Sequence, residues 1–236
     1  MRTGDDLATL LARAAPGSLS DGDVLVVAHK VVSKAEGRVR RLAEIAPTER
    51  AHDLAAEHRK DARVVQAVLD ESAEVLRASH GVLICVTHHG FVCANAGVDQ
   101  SNTADPGEIV LLPEDPDLSA RALREALGGR LGVRPAIVIS DSFGRAWRLG
   151  QTDVAIGAAG LRPIDDWRGR SDAAGRELAA TELAVADSTA AAADLARSKD
   201  SRRPAVLVRG LERLVTAADG PGAAALRRPR DEDLFR

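Results

Sequence analysis

The chain has 236 residues, 45% of them hydrophobic, with 32 basic against 35 acidic side chains and a net charge of −3. That is apolar material for a real core, in one large domain or two small ones. With no basic surplus, three Phe, two Trp and no Tyr, the chain has neither the charge to grip a phosphate backbone nor the rings to stack bases, which excludes nucleic acid as a partner.

No run of about 18 apolar residues is present, so no membrane helix is expected. Met1 to Pro16 lacks the charged-then-apolar order of a secretion signal, and a soluble cytoplasmic protein is the expectation. Apolar spacing predicts a short helix over residues 7–15, stopped by Pro16-Gly17. Residues 24–28 are continuously apolar and read as a buried strand, which runs into a Ser- and Gly-containing loop carrying Lys30 and Lys34. A long helix is expected over 48–79. Residues 81–86 and 90–94 read as a hairpin around Thr87-His88-His89. Cys85 and Cys93 lie in these apolar runs and are expected to be reduced, buried thiols.

Residues 108–112 form a further strand, 117–131 an amphipathic helix closed by Gly132, and 134–140 a strand that delivers Asp141. Residues 154–161 read as a buried strand, 165–174 as a loop, 177–199 as a long Ala-rich helix and 204–209 as the last strand. From Asp219 the sequence is rich in Gly, Pro and Arg, which suggests a loose tail. The expected organisation is therefore a body over 1–218 and a tail over 219–236. Strands and helices mix without strict alternation, which favours α+β over a doubly wound sheet.

Two segments carry the chemistry. In Ala96-Gly97-Val98-Asp99-Gln100-Ser101-Asn102 and in Ser140-Asp141-Ser142-Phe143-Gly144-Arg145, a carboxylate stands where an apolar strand meets a turn rich in glycine and hydroxyls. Aspartate also favours turns for local reasons, but two such turns suggest a divalent metal shared between Asp99 and Asp141. Ser142 and Ser101 add hard oxygen donors of the kind Mg²⁺ and Mn²⁺ prefer. Lys30 and Lys34 are point charges suited to phosphate, although Walker-loop spacing is absent. Arg145 and Arg148 flank Trp147 and suit an anionic or planar ligand, or simply pack along a half-buried ring.

His88-His89 lacks the partner spacing of a zinc site. Glu182 and Asp187, five apart in the expected helix, do not share a face. The turn Arg197-Ser198-Lys199-Asp200 offers either phosphate contacts or a solvated helix end.

Together these segments resemble the coenzyme F420:L-glutamate ligase family. The matching pieces are Gly22-Asp23-Val24, Val32-Ser33-Lys34-Ala35-Glu36-Gly37, the Asp99 and Asp141 segments, and Gly150-Gln151-Thr152-Asp153-Val154-Ala155-Ile156-Gly157. Thr181-Glu182-Leu183-Ala184-Val185-Ala186-Asp187 and the strand ending at Gly210 complete them, in order over nearly the whole chain. The resemblance implies a two-part α+β fold forming an intertwined homodimer. It implies GTP-dependent addition of L-glutamate to the lactyl carboxylate of the deazaflavin precursor F420-0, then of further γ-linked glutamates, through an acyl phosphate. Mn²⁺ or Mg²⁺ would be required, and K⁺ would assist.

By position, Asp99, Asp141 and Ser142 match the family's metal ligands and Lys34 and Asn102 its GTP contacts, with Ser198 and Lys199 in a further nucleotide-binding stretch. The rival reading is a nucleotide- and metal-binding homologue that is inactive or uses another acidic acceptor. It draws on a departure: relatives carry a Gly-Leu-Pro-Glu segment before the run Gly4-Asp5-Asp6-Leu7, and it is missing here. His29 also stands where many relatives have serine, and Arg197-Ser198-Lys199 where Met-Gly-Lys is more usual.

Overall fold

The structure is a computed structural model, and it describes residues 1–235. In chain order the elements begin with α1 (Leu7–Ala14), β1 (Val24–Ala28), α2 (His29–Ala35), β2 (Val39–Arg41), α3 (Glu49–His58) and α4 (Ala62–Asp70). Then come β3 (Ser72–Ser79), β4 (Val82–Thr87), β5 (Val92–Ala94), β6 (Glu108–Val110) and α5 (Pro116–Leu131). The chain ends with β7 (Ala136–Arg145), β8 (Arg148–Ala159), β9 (Ile164–Asp166), β10 (Glu182–Ala184), α6 (Val185–Leu195) and β11 (Ala205–Val208). Helices and several sheets are mixed, as the α+β expectation requires, and the residues divide into two compact units.

One unit comprises residues 1–6, 29–115 and 143–151. Here β3, β4 and β5 form an antiparallel meander and β2 pairs with β6. Ala51, Ala55, Val65 and Val68 from α3 and α4 pack on Leu83, Cys85 and Ala96. Cys85 and Cys93 are direct partners across β4 and β5, yet they form no disulfide, and both are buried. Thr87 donates to the Phe91 carbonyl two positions along. By alternation the cysteines occupy a hydrogen-bonded pair, whose side chains stand farther apart than those of the neighbouring pairs. Burial pushes the Cys85 thiol pKa up, as expected of an inert core thiol.

The single helix expected over 48–79 is broken. The first half ends at Arg59, which takes a left-handed conformation (φ 54°). Asp61 then caps α4 by accepting from the Arg63 N–H. Residues 72–79 pair with β4 instead of continuing the helix. Val75 and Leu76 suit either period, and pairing across a sheet is a tertiary event that local spacing does not register.

The other unit comprises residues 7–28, 116–142 and the described residues from Thr152 on. Its sheet runs β11-β1-β7-β8. β1 is parallel to β7, from Val24 opposite Ala136 to Ala28 opposite Ser140, and antiparallel to β11. Val24, Val26, Val138, Ala155 and Ala158 meet Ala186, Ala190 and Ala193 of α6 in one core. The small side chains let helix and sheet approach closely, in line with the scarcity of rings. Gly157 is needed here, because a Cβ on it would lie 2.2 Å from the Pro116 carbonyl oxygen.

Two further expectations are corrected in this unit. Only residues 185–195 of the Ala-rich stretch are helical, and Glu182 lies on β10, paired with Asp166 of β9 within the expected loop. The start of the expected tail, residues 219–226, is bound rather than loose, residues 227–235 are mostly exposed, and Arg236 lies outside the described residues. Ala223 is fully buried in the core, and its N–H and that of Ala224 donate to the Asp117 carboxylate. The Asp219 carboxylate pairs with the buried Arg124 at 2.7 Å. No described helix is long and apolar enough to cross a membrane.

Candidate functional site

Asp99, Lys34 and Asn102 come together in the first unit. Three successive residues shortly before Asp99, namely Asn95, Ala96 and Gly97, have positive φ values of 51°, 50° and 73°. Glycine takes that conformation freely and asparagine tolerates it, so the strain falls on Ala96, which the surrounding packing holds in place. The turn leads into Asp99, whose backbone exchanges two hydrogen bonds with Val110. Asp99 is thereby fixed beside β6 and not left on a free loop.

Its carboxylate receives the Lys30 ammonium at 2.6 Å on one oxygen and the Ser101 N–H at 2.6 Å on the other. Lys30 also donates to Ser101 Oγ at 2.6 Å, and the Lys34 ammonium donates to the Asn102 carbonyl oxygen. Asn102 has φ +57°, which turns the loop at that point.

The two lysines sit on a helix, α2, and not in the expected loop. Four residues apart, they share a face. Burial and the neighbouring Lys30 charge lower the Lys34 pKa, against Glu108 and Asp99, which raise it. Desolvation pushes the Asp99 carboxyl up, but the Lys30 and Ser101 hydrogen bonds and the Lys30 charge outweigh it and hold it below its ordinary value. His29, the residue that departs from the family pattern, is buried and meets Ser33 Oγ at 3.3 Å.

A depressed carboxyl pKa contributes stability above its unfolded value of about 4, and that contribution is lost as pH falls through the folded value. Lys30→Met removes the main source of the depression. The Asp99 carboxyl should then titrate at clearly higher pH when followed by carbon NMR, and the acid limb of the stability profile should move to higher pH. An unchanged Asp99 titration would show that Lys30 does not hold it.

The same unit contains a pocket of about 650 Å³ with Arg41, Asp61, Arg63, Gln100, Asp105 and Glu108 in its wall. The tip of the β7–β8 hairpin also belongs to this unit. Arg145 donates to the Leu149 carbonyl at 3.2 Å. Arg145 and Arg148 are exposed, and Trp147 is 83% exposed, so the ring is not half-buried as the alternative expected. His88 and His89 reach the backbone carbonyls of Asp70 and Pro113, a structural role.

Asp141, Ser142, Ser198 and Lys199 lie in the second unit. The pairing of β1 with β7 ends at Ala28 and Ser140. Asp141 is thus the first residue past the carboxyl edge of a parallel pair, where open sheets commonly place ligands. The strand itself runs on to Arg145, so the turn expected directly after Asp141 is absent. Asp141 Oδ1 accepts from the Ser142 N–H at 2.8 Å. Ser198 Oγ donates to Asp200 at 2.7 Å.

The residue that organises this cluster is Asp153, quoted in a motif above but given no role there. It is 2% exposed and receives Ser142 Oγ at 2.6 Å, Ser140 Oγ at 2.8 Å and the Arg197 guanidinium. Lys199 donates to Ser142 Oγ at 2.7 Å and to Asp194 at 3.0 Å. Burial pushes the Asp153 carboxyl up, but the two serine hydrogen bonds and the charges of Arg197 and Lys199 hold it below its ordinary value. The available signal was its place in a strand, two before Ala155 and so on the same inward face. Asp187, at the start of α6, accepts from the Ala155 N–H at 2.9 Å, and burial pushes its carboxyl up.

Among the described residues no three His, Cys, Asp or Glu side chains gather as a metal cage. The donors present are carboxylates and a hydroxyl, the hard oxygens that suit Mg²⁺ or Mn²⁺ when one or two side chains share the ion with water and phosphate. The two clusters thus hold ammonium groups, a guanidinium and hard oxygens, with Lys30 and Lys34 on α2, Asp141, Ser142 and Asp153 on β7 and β8, and Arg197 and Lys199 in the turn after α6.

Comparison with known proteins gives the family. The family model for F420-0:Gamma-glutamyl ligase matches residues 1–210, and the chain belongs to that family. It is similar to the Coenzyme F420:L-glutamate ligase of Methanothermobacter thermautotrophicus, with 45% identity covering 99% of this chain and 93% of the relative. It is 46% identical to the Coenzyme F420:L-glutamate ligase of Methanopyrus kandleri, over 100% of this chain and 93% of the relative. For the protein of the same name from Haloarcula marismortui the figures are 43%, 100% and 91%.

Proposed function

We propose that this protein is a GTP-dependent ligase that joins L-glutamate to F420-0 and then adds γ-linked glutamates. The observation that carries the reading is the match to ligases of that name along almost the whole of both chains. The GTP γ-phosphoryl group passes to the acceptor carboxylate, giving an acyl phosphate and GDP. The glutamate amine attacks the acyl carbon, the C–O bond to phosphate breaks, and the amine loses a proton as the amide forms.

Both stages crowd negative charge together, so the protein must supply fixed cations and donors. Lys30 and Lys34 in one unit, and Lys199 and Arg197 in the other, are the groups available. Lys34 and Asn102 would contact GTP, with Ser198 and Lys199 adding to its site. Asp99, Asp141 and Ser142 would hold Mg²⁺ or Mn²⁺, which when bound neutralises phosphate charge, and K⁺ would assist. Arg145 and Arg148 would attract the acidic substrates.

A homodimer belongs to the same reading. Trp147 and Leu149 are 83% and 98% exposed at the hairpin tip, an apolar surface that a second copy would cover. The cytoplasm is the expected location.

Incubation with GTP, Mn²⁺, L-glutamate and F420-0 tests the proposal. The expected products are GDP, phosphate and a precursor heavier by one glutamyl residue. GDP release without that mass gain rejects F420-0 as acceptor and favours another acidic one. GTP bound but never consumed leaves a binding homologue without turnover.

A further inference from the structure

We infer that Asp153 is a positioning residue of this site, orienting the Ser142 hydroxyl and the Arg197 guanidinium to receive a metal-bound polyphosphate. The inference rests on the proposed function and goes beyond it, because Asp153 is not among the residues expected to touch metal or nucleotide. Both of its carboxylate oxygens are committed. Oδ2 accepts from Ser140 Oγ and from Arg197, and Oδ1 accepts from Ser142 Oγ. Lys199 Nζ stands 3.5 Å from Oδ1.

A serine hydroxyl has one proton and two lone pairs. Ser142 gives its proton to Asp153 and one lone pair to Lys199. What it has left is a lone pair, which can serve a cation and cannot serve an anion. A carboxylate behind a ligand also fixes its orientation and makes it a better electron donor. The same carboxylate fixes Arg197, which is 8% exposed at its side chain, donates to Ser140 Oγ at 2.7 Å and also reaches the Pro204 carbonyl. One buried group thus sets both a cation ligand and a fixed positive charge.

Asp153→Asn keeps the shape and removes the charge. Its amide presents N–H donors where Ser142 now finds an acceptor. Mn²⁺ binding in the presence of GDP, read from the free-ion paramagnetic resonance signal, should weaken by roughly 10–100-fold, with KM for GTP rising alongside. Asp153→Glu, which restores the acceptor, should recover part of the loss. In a Ser142→Ala background the same substitution should add little to the loss of Mn²⁺ affinity, because both changes disable one ligand.

Wild-type Mn²⁺ affinity in Asp153→Asn, or full additivity with Ser142→Ala, overturns the inference while leaving the ligase reading intact. Should Asp153→Asn fail to fold, Ser142→Ala and Ser142→Thr decide. The alanine variant must lose Mn²⁺ affinity and the threonine variant keep it, and unchanged affinity in Ser142→Ala also overturns the inference. A wild-type protein that neither binds Mn²⁺ nor forms product rejects the proposed function itself.

Discussion

Asp141→Asn is expected to slow glutamate ligation by on the order of 10²–10³-fold, the effect of losing roughly 3–4 kcal/mol of charge stabilisation in the transition state. The substitution leaves an amide oxygen that can still accept the Ser142 N–H, a bond that the Asp141 carboxylate makes now. Asp141 also lies one residue beyond the paired stretch of β1 and β7, so no ladder bond with β1 depends on it. The thermal transition should therefore stay close to that of the wild type. What disappears is the negative charge at the carboxyl edge of the sheet, and with it the charge on one hard-oxygen donor. Steady-state rates over a range of Mn²⁺ concentrations are the measurement. A kcat at saturating Mn²⁺ equal to that of the wild type would remove Asp141 from the site.

The second large effect is on stability. Arg124 of α5 is 2% exposed, and its guanidinium ties three stretches of chain together. It donates to the carbonyls of Pro135, Thr216 and Ala217 at 3.2, 2.7 and 3.1 Å and pairs with Asp219 at 2.7 Å. Gly160 packs against it so closely that a Cβ would lie 2.3 Å from the guanidinium carbon. Arg124→Met fills similar volume with no donors, leaving buried carbonyls without partners and Asp219 without its charge.

Breaking a buried pair from one side costs about 3–5 kcal/mol, equivalent to a fall of roughly 6–20 °C in Tm for a chain of this size. Calorimetry of the intact chain measures it directly. A fall of only a degree or two would mean that water replaces the guanidinium, and that the segment from Thr216 to Asp219 is held mainly by apolar contacts such as that of Ala223.

Much of this was legible beforehand because the signals are local. The strand at Val24–Ala28, the helix from Pro116 to Leu131 and the hairpin around His88-His89 follow from apolar runs, helical spacing and turn residues. Thr48 was recognisable as a helix start, and its hydroxyl accepts from the Ala51 N–H in the structure. Lys60-Asp61 carried a signal too, since aspartate is a strong helix cap, but the apolar residues on either side masked it. Glu182 was misplaced because a run of alanines favours helix by propensity, while its pairing with Asp166 lies 16 residues away in sequence.

The sequence by itself determined the family, the α+β mixture, a core of Ala, Val, Leu and Ile and the identity of the hard-oxygen and cationic side chains. These depend on composition, short-range spacing and ordered motifs, which a linear chain displays. Only the tertiary structure decided which charges neutralise which. It joined Lys30 to Asp99 across 69 positions and Arg197 to Asp153 across 44, and it gave Asp153 its role. Burial and partner choice arise where distant segments pack, and for a polar residue in a strand they decide whether it is solvated or organises its surroundings.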